Sequence, residues 1–140
     1  MTRWVGTLQT GQEILIVYGS ISLMYGFALG IPMSSIRMRR PEAPRHLTVA
    51  HLSAIIQGGV HLALSIALGF ADMTSWLATA SAALLVTGSA LFVSGATLNW
   101  LRQAGDHFAE RSLGWKLLSA SGPAHLSGMA IVTAGVIASI

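Results

Sequence analysis

Apolar residues run almost without interruption through four long stretches of the chain, and polar residues gather in the short segments between them. The stretches cover residues 11–32, 46–70, 74–100 and 113–140. A helix needs about 20 predominantly apolar residues to cross a bilayer's hydrocarbon, and each stretch is long enough. The pattern predicts an all-α fold, an integral membrane four-helix bundle with a single transmembrane domain over residues 1–140.

The composition agrees with a membrane protein and excludes several kinds of site. Hydrophobic residues make up 53% of the chain and the mean hydropathy is +0.65, with eight Lys or Arg and five Asp or Glu among 140 residues. The lack of cysteine excludes disulfides, iron–sulfur clusters and thiolate ligands. No cleavable signal peptide is evident, so we expect the first span to be retained.

The basic residues are distributed unevenly over the loops. Seven of the eight lie between spans one and two or between spans three and four: Arg37, Arg39, Arg40, Arg45, Arg102, Arg111 and Lys116. Because basic loops stay in the cytoplasm, we expect both termini outside and a multi-pass location in a bacterial inner (cell) membrane. The basic face suits acidic membrane lipid, and no nucleic-acid partner is expected.

Small residues recur on two spans at spacings that place them on one helix face. The first span has Gly19, Ser22, Gly26 and Gly30, and the third has Ser81, Gly88 and Gly95. In lipid, small residues let helix backbones approach, so these faces predict packing seams within or between subunits. Pro32 is expected to close the first span, and no internal repeat stands out.

Five histidines are the main candidates for chemistry. His46 at the membrane edge and His107 in a polar loop are expected to lie in water, whereas His51, His61 and His125 lie inside spans. An ionisable residue inside a membrane is a functional-site hypothesis. The alternative, above all for His61, is a neutral imidazole bonded to a neighbouring helix.

The spacing of the intramembrane histidines limits the sites that they can build. His51 and His61 are ten residues apart, so they point in different directions and cannot share one site within a chain. No His-Glu-x-x-His motif and no carboxylate at ligand spacing supports a zinc site. A lone imidazole without cysteine suits an axial ligand for haem.

The segment Pro44–Gly59 (PRHLTVAHLSAIIQGG) resembles a small family of four-span membrane isomerases that includes styrene oxide isomerase and hydroxylaminobenzene mutase. The shared pattern is a Pro-Arg pair, then Ala-His, then an amide residue and a glycine six and seven positions after the histidine. Here these residues are Pro44, Arg45, Ala50, His51, Gln57 and Gly58. The segments Leu68–Asp72 (LGFAD) and Gly122–Gly128 (GPAHLSG) resemble family segments in corresponding places.

The resemblance implies a homotrimer with haem b at each subunit interface, bound through His51 as the iron ligand and with Gly58 as a second cofactor-binding residue. It also implies a redox-neutral isomerase in which ferric iron acts as a Lewis acid on a small aromatic substrate. Gln57 and His125 are the catalytic candidates, expected to orient the substrate or to stabilise its departing oxygen. For each of these two residues, the alternative to a catalytic role is a hydrogen bond that joins its helix to a neighbouring helix.

Departures from the epoxide isomerase pattern bear on the substrate. Gln57 stands where those enzymes have Asn, and the third span offers Gly95 but no Tyr near the position of their substrate-contacting Tyr. His125 stands where their pattern has Tyr. We therefore expect conversion of an aryl hydroxylamine to an aminophenol, with isomerisation of an aryl epoxide to an aldehyde as the alternative. Two other classes are a non-enzymatic haem or electron-transfer subunit and a small transporter.

Overall fold

Four α-helices make up most of the computed structural model, which describes residues 8–105 and 111–140. They are α1 (Thr10–Arg37), α2 (Arg45–Phe70), α3 (Ser75–Leu101) and α4 (Leu113–Ala138). Each has 26 to 28 residues and is long and apolar enough to cross a membrane. The prediction of four helices able to span a membrane is confirmed, and the helices begin and end close to the predicted limits of the spans.

The first helix differs most from its prediction, because it does not end at Pro32. Proline lacks an N–H and withholds one bond from the carbonyl of Ala28, yet α1 continues to Arg37. The hydroxyl of Ser35 donates to the carbonyl oxygen of Ile31 at 3.0 Å just beyond the proline. A single lost bond is tolerated in a helix of this length, so Pro32 lies inside α1.

Helices α1 and α2 form an antiparallel hairpin with a seam of small residues. A β-carbon at Gly19 would lie 2.9 Å from the carbonyl oxygen of Gly58, so neither backbone tolerates a side chain there. The hydroxyl of Ser22 donates to the carbonyl oxygen of Ala54 at 2.8 Å. Small residues on α1 thus bring the two backbones together, as the sequence predicts.

Helices α3 and α4 form a second antiparallel hairpin of the same kind. A β-carbon at Gly95 would lie 2.7 Å from the carbonyl oxygen of Gly114, and one at Gly128 would lie 2.9 Å from that of Ser81. Gly88, midway along the seam, lies against His125. The predicted seam of Ser81, Gly88 and Gly95 is confirmed, and it packs α3 on α4 within one subunit.

The bundle interior contains two apolar clusters at different depths. One is formed by Leu15, Leu64, Leu68, Ala78, Ala82, Leu85 and Val132. The other is formed by Leu29, Leu47, Ala50 and Ala96. Between them along the helices lie His61, Ser89 and His125, so a polar layer crosses the middle of the core.

The basic residues of the described ranges gather at one end of the bundle. The two hairpins are antiparallel, so the end of α1, the start of α2, the end of α3 and the start of α4 lie together. Arg37, Arg45, Arg102 and Lys116 are at these positions. Arg3 lies outside the described residues. At the opposite end, the N–H of Asp72 donates to the carbonyl oxygen of Gly135 at 3.0 Å and ties the α2–α3 turn to α4.

Candidate functional site

Three helices contribute to the polar layer in the middle of the bundle. The Oγ atom of Ser89 on α3 lies 3.3 Å from Nε2 of His61 on α2 and 2.9 Å from Nε2 of His125 on α4. His61 is 2% exposed and Ser89 is completely buried, while His125 is only partly buried. One hydroxyl therefore connects two imidazoles inside the membrane domain.

The second nitrogen of His61 faces its own helix. Nδ1 of His61 lies 2.5 Å from the carbonyl oxygen of Gln57, one turn earlier, and this oxygen can only accept. The ring of Tyr18 on α1 meets the His61 ring edge to face with centroids 5.2 Å apart. All four helices thus contribute to this layer.

Gln57 presents an unsatisfied acceptor close to this layer. Its side-chain oxygen Oε1 is buried and has no hydrogen-bond partner within residues 8–105 and 111–140. Buried polar atoms are nearly always paired, so this oxygen calls for a hydrogen-bond donor that the described residues do not supply. An N–H or O–H group would satisfy it.

His51 has a different environment, on the seam between α1 and α2. Its Nδ1 atom lies 2.7 Å from the carbonyl oxygen of Gly26, which fixes the ring and places the hydrogen on Nδ1. A β-carbon at Gly30 would lie 3.3 Å from Cε1 of His51, so the ring rests against a glycine. His51 is half-buried, and the part of the chain described by the structure provides no hydrogen bond to its Nε2.

The same tetrapeptide, Ala-His-Leu-Ser, carries His51 on α2 and His125 on α4. Each histidine packs on a glycine of the preceding helix: His51 on Gly30 of α1 and His125 on Gly88 of α3. The sequence alone did not draw attention to this short repeat. In the structure, its two copies occupy equivalent positions in the two hairpins. The two histidines differ in the environment of Nε2. In His125 this atom is bonded to Ser89, and in His51 it is not.

The structure divides the predicted site residues into two groups. Gly58 lies on the same face of α2 as His51, seven residues further along, and packs on Gly19. The backbone carbonyl of Gln57 and the side chain of His125 belong to the polar layer. For His125, the structure shows the hydrogen bond between helices that was the alternative to a catalytic role.

One expectation about the outer histidines is wrong. His46 is half-buried and packs edge to face on Trp115 with ring centroids 5.6 Å apart, so it does not lie free in water. The start of α4 covers the start of α2, and the aromatic side chain at this position shields the imidazole. His107 lies outside the described residues.

Two tyrosines of α1 that sequence reasoning passed over line a groove against α3. Tyr18, Tyr25, Val93 and Ser94 border a mainly apolar cavity of about 240 Å³. The hydroxyl of Tyr25 lies 2.9 Å from Oγ1 of Thr97 on α3. Helix α1 thus brings tyrosine side chains to the surface of α3.

No family model, curated protein or solved structure matches the chain. Within residues 8–105 and 111–140, no group of three or more His, Cys, Asp or Glu side chains is arranged to hold a metal ion. A haem iron already has four ligands in its macrocycle, and one protein imidazole is enough to hold it.

Proposed function

We propose that this protein is a membrane-embedded, redox-neutral isomerase of small aromatic compounds that holds haem b through His51. The family resemblance of the segment around His51 supports the assignment. The observation that carries it is the hydrogen bond between His51 Nδ1 and the carbonyl oxygen of Gly26, which leaves Nε2 of a half-buried imidazole available. A metal-binding histidine usually donates its other ring N–H to such a carbonyl.

Hydrogen-bond accounting favours His51 over the other intramembrane histidines. Nε2 of His61 and Nε2 of His125 both face the Ser89 hydroxyl. Binding of iron to either would first require loss of that contact. His51 needs no such rearrangement, and its ring orientation is already set by Gly26. The same argument weighs against an electron-transfer subunit that uses His61 or His125 as a second axial ligand.

The surroundings of His51 fit a large planar group. Gly30 has no side chain, so the surface of α1 beside the His51 ring is open. Replacement of Gly30 by any other residue would crowd Cε1 of His51. Arg37 lies seven residues after Gly30 on the same face of α1, about 10 Å nearer the basic end of the bundle. In this proposal Arg37 would pair with an anionic group of the cofactor, which would supply Lewis-acid chemistry at the substrate oxygen.

A homotrimer completes the site in this proposal. Phe27 and Ile31 on α1 and Leu52 and Ile56 on α2 are 48 to 71% exposed, so the outer surface of this hairpin is apolar. A second subunit packed there would cover the cofactor's other face. Gln57 and His51 lie on different faces of α2, and in this proposal Gln57 of one chain serves the His51 site of a neighbouring chain.

Gln57 favours an aryl hydroxylamine over an aryl epoxide. Its buried Oε1 lacks a donor within the described ranges, and a hydroxylamine offers N–H and O–H groups, whereas an epoxide offers neither. A site built to accept a hydrogen bond discriminates against compounds that lack the donor. We therefore propose rearrangement of an aryl hydroxylamine to an aminophenol, with an aryl epoxide as the second candidate substrate.

The proposal is tested by assaying phenylhydroxylamine and styrene oxide with the ferric protein and again after reduction with dithionite. We expect turnover of the hydroxylamine by the ferric protein, no requirement for an added electron donor, and loss of turnover on reduction. Turnover that rises on reduction would contradict the redox-neutral mechanism. Turnover of the epoxide alone would reverse the order of the two substrates.

A further inference from the structure

Two cavities lie side by side at the basic end of the bundle. The first, the basic cavity, has a volume of about 520 Å³ and is bordered by Arg40, by Arg45 and by Asn99 of α3. The second, the apolar cavity, has a volume of about 450 Å³ and lies between α2, α3 and α4. Arg45 and His46 border both cavities, so the two are adjacent.

The apolar cavity extends from the basic end towards the middle of the membrane. Val49 on α2, Phe92 on α3 and Leu118 on α4 border it. At a rise of 1.5 Å per residue, Phe92 lies about 14 Å from the end of α3, which is comparable to the hydrocarbon depth of one leaflet, about 15 Å. The groove is present because α2 and α4 belong to different hairpins and touch each other over a small area. Its direction and lining suit one acyl chain.

The basic cavity offers positive charge to an anion. Arg40 in the α1–α2 loop and Arg45 at the start of α2 are exposed guanidinium groups that border it. The carboxylates of the described ranges, Glu13, Glu42 and Asp72, border neither cavity. Arginine binds phosphate well, because its planar group presents paired N–H donors to two phosphate oxygens.

Asn99 adds a buried hydrogen-bond donor to the wall of the basic cavity. Oγ of Ser112 accepts from the N–H of Trp115 at 3.2 Å and donates its own hydrogen to Oδ1 of Asn99 at 2.8 Å. This pairing fixes the orientation of the amide and turns Nδ2 away from Ser112. Asn99 is 1% exposed, and its Nδ2 has no acceptor within residues 8–105 and 111–140. An anion in the cavity would supply one, directly or through a bridging water molecule.

We propose that the two cavities together bind one anionic phospholipid, with its phosphate between the two arginines and one acyl chain in the groove of Val49, Phe92 and Leu118. Basic pockets between transmembrane helices suit anionic head groups. A soluble phosphate compound would leave the apolar cavity unfilled, and a zwitterionic lipid would bring a cationic group next to the arginines. This inference goes beyond the proposed isomerase and does not depend on it.

The test uses the full-length protein, freed of lipid in detergent, and counts the lipid bound to each chain by native mass spectrometry. Phosphatidylglycerol is the probe, phosphatidylcholine with the same acyl chains has no net charge, and glycerol 3-phosphate has the anion without acyl chains. We expect one phosphatidylglycerol per chain, bound at least about tenfold more tightly than either of the other two compounds. Equal binding of the two lipids, or equal binding of glycerol 3-phosphate and phosphatidylglycerol, would overturn the proposal. The measurement involves neither turnover nor haem, so its outcome is distinct from a failure of the isomerase proposal.

Matched variants test each cavity separately. The double variant Arg40→Gln and Arg45→Gln should bind phosphatidylglycerol about tenfold more weakly or worse. Arg102→Gln, which removes another exposed arginine at the same end that borders neither cavity, should bind it like the wild type. Ser119→Phe, at an exposed position beside the apolar cavity, should hinder the acyl chain, whereas Ala120→Phe, exposed outside that cavity, should not. Undiminished binding in the double variant, or an equal loss in a variant and its control, would contradict a discrete lipid site.

Discussion

Gly88 on α3 and His125 on α4 approach so closely that a β-carbon at Gly88 would lie 2.8 Å from Cγ of His125. The imidazole can be seated between the helices only because this position has no side chain. Its Nε2 atom then reaches Ser89, the residue next to Gly88. The close approach of two helix backbones and the placement of the polar layer therefore have the same cause.

This contact predicts that Gly88→Ala destabilises the fold by about 1–3 kcal/mol, since the seam has no space for an added methyl group. Thermal unfolding in a mild detergent measures the change. The control is Gly59→Ala on α2, where an added β-carbon meets nothing within 4 Å. It should be neutral or stabilise by about 0.5–1 kcal/mol. Equal stabilities of the two variants would show that α3 and α4 pack less closely at Gly88 than the structure indicates.

A substitution at Gly30 should act on His51 without disrupting the fold. A β-carbon there would lie 3.3 Å from Cε1 of His51, a distance at which the ring must shift by a few tenths of an ångström. We expect Gly30→Ala to lower the amount of haem retained per protein while the unfolding temperature stays near that of the wild type. Gly26→Ala is the contrasting variant, because its β-carbon would lie 2.6 Å from Cγ1 of Ile55 and should weaken the hairpin itself. Unchanged haem retention in Gly30→Ala would argue against a cofactor at His51.

Complementation between inactive chains tests whether the site forms between subunits. His51→Ala and Gln57→Leu should each abolish turnover of phenylhydroxylamine when expressed alone. If His51 of one chain works with Gln57 of another, co-expression of both variants should restore about a quarter of the wild-type activity, since about a quarter of randomly mixed interfaces keep both residues. A failure of the mixed protein to recover activity, with both chains present in the purified oligomer, would place the two residues in one chain's site.

The orientation of the bundle is tested by cysteine labelling, because the chain has no native cysteine. The positive-inside bias predicts that a cysteine at Glu42, in the exposed α1–α2 loop, is labelled only from the cytoplasm. A cysteine at Thr74, exposed in the α2–α3 turn, should be labelled from the outside of intact cells. The reverse labelling pattern would invert the topology and leave the fold unchanged.

Sequence periodicity was sufficient for the four helices and for the small-residue seams, because length, hydropathy and the spacing of glycines depend on local properties of the chain. Sequence periodicity could not predict the environment of a side chain where that environment depends on which helices pack together. Ser89 follows Gly88 in the sequence without any mark of its own, and its role exists only because His61 and His125 reach it from two other helices. The burial of His46 likewise depends on Trp115, almost seventy residues away.

The helix limits show the same distinction at a smaller scale. Proline has a strong local preference, which predicted an end at Pro32, yet the bonds that follow it outweigh one missing N–H and α1 continues. The repeated Ala-His-Leu-Ser tetrapeptide was visible in the sequence, but four residues are too few to indicate two equivalent hairpins. Packing of each histidine on a glycine of the preceding helix gives the repeat its meaning.

The absorption spectrum of the purified protein tests the central claim most directly. The full-length chain, expressed with sufficient haem and purified in mild detergent, should show a Soret band corresponding to about one haem per chain, the stoichiometry of one cofactor at each interface of a closed ring. His51→Ala should lose this band, and His61→Ala, whose imidazole belongs to the polar layer, should keep it. A wild-type protein without a Soret band, or a His51→Ala protein with the full band, would contradict the assignment of His51 as the haem ligand.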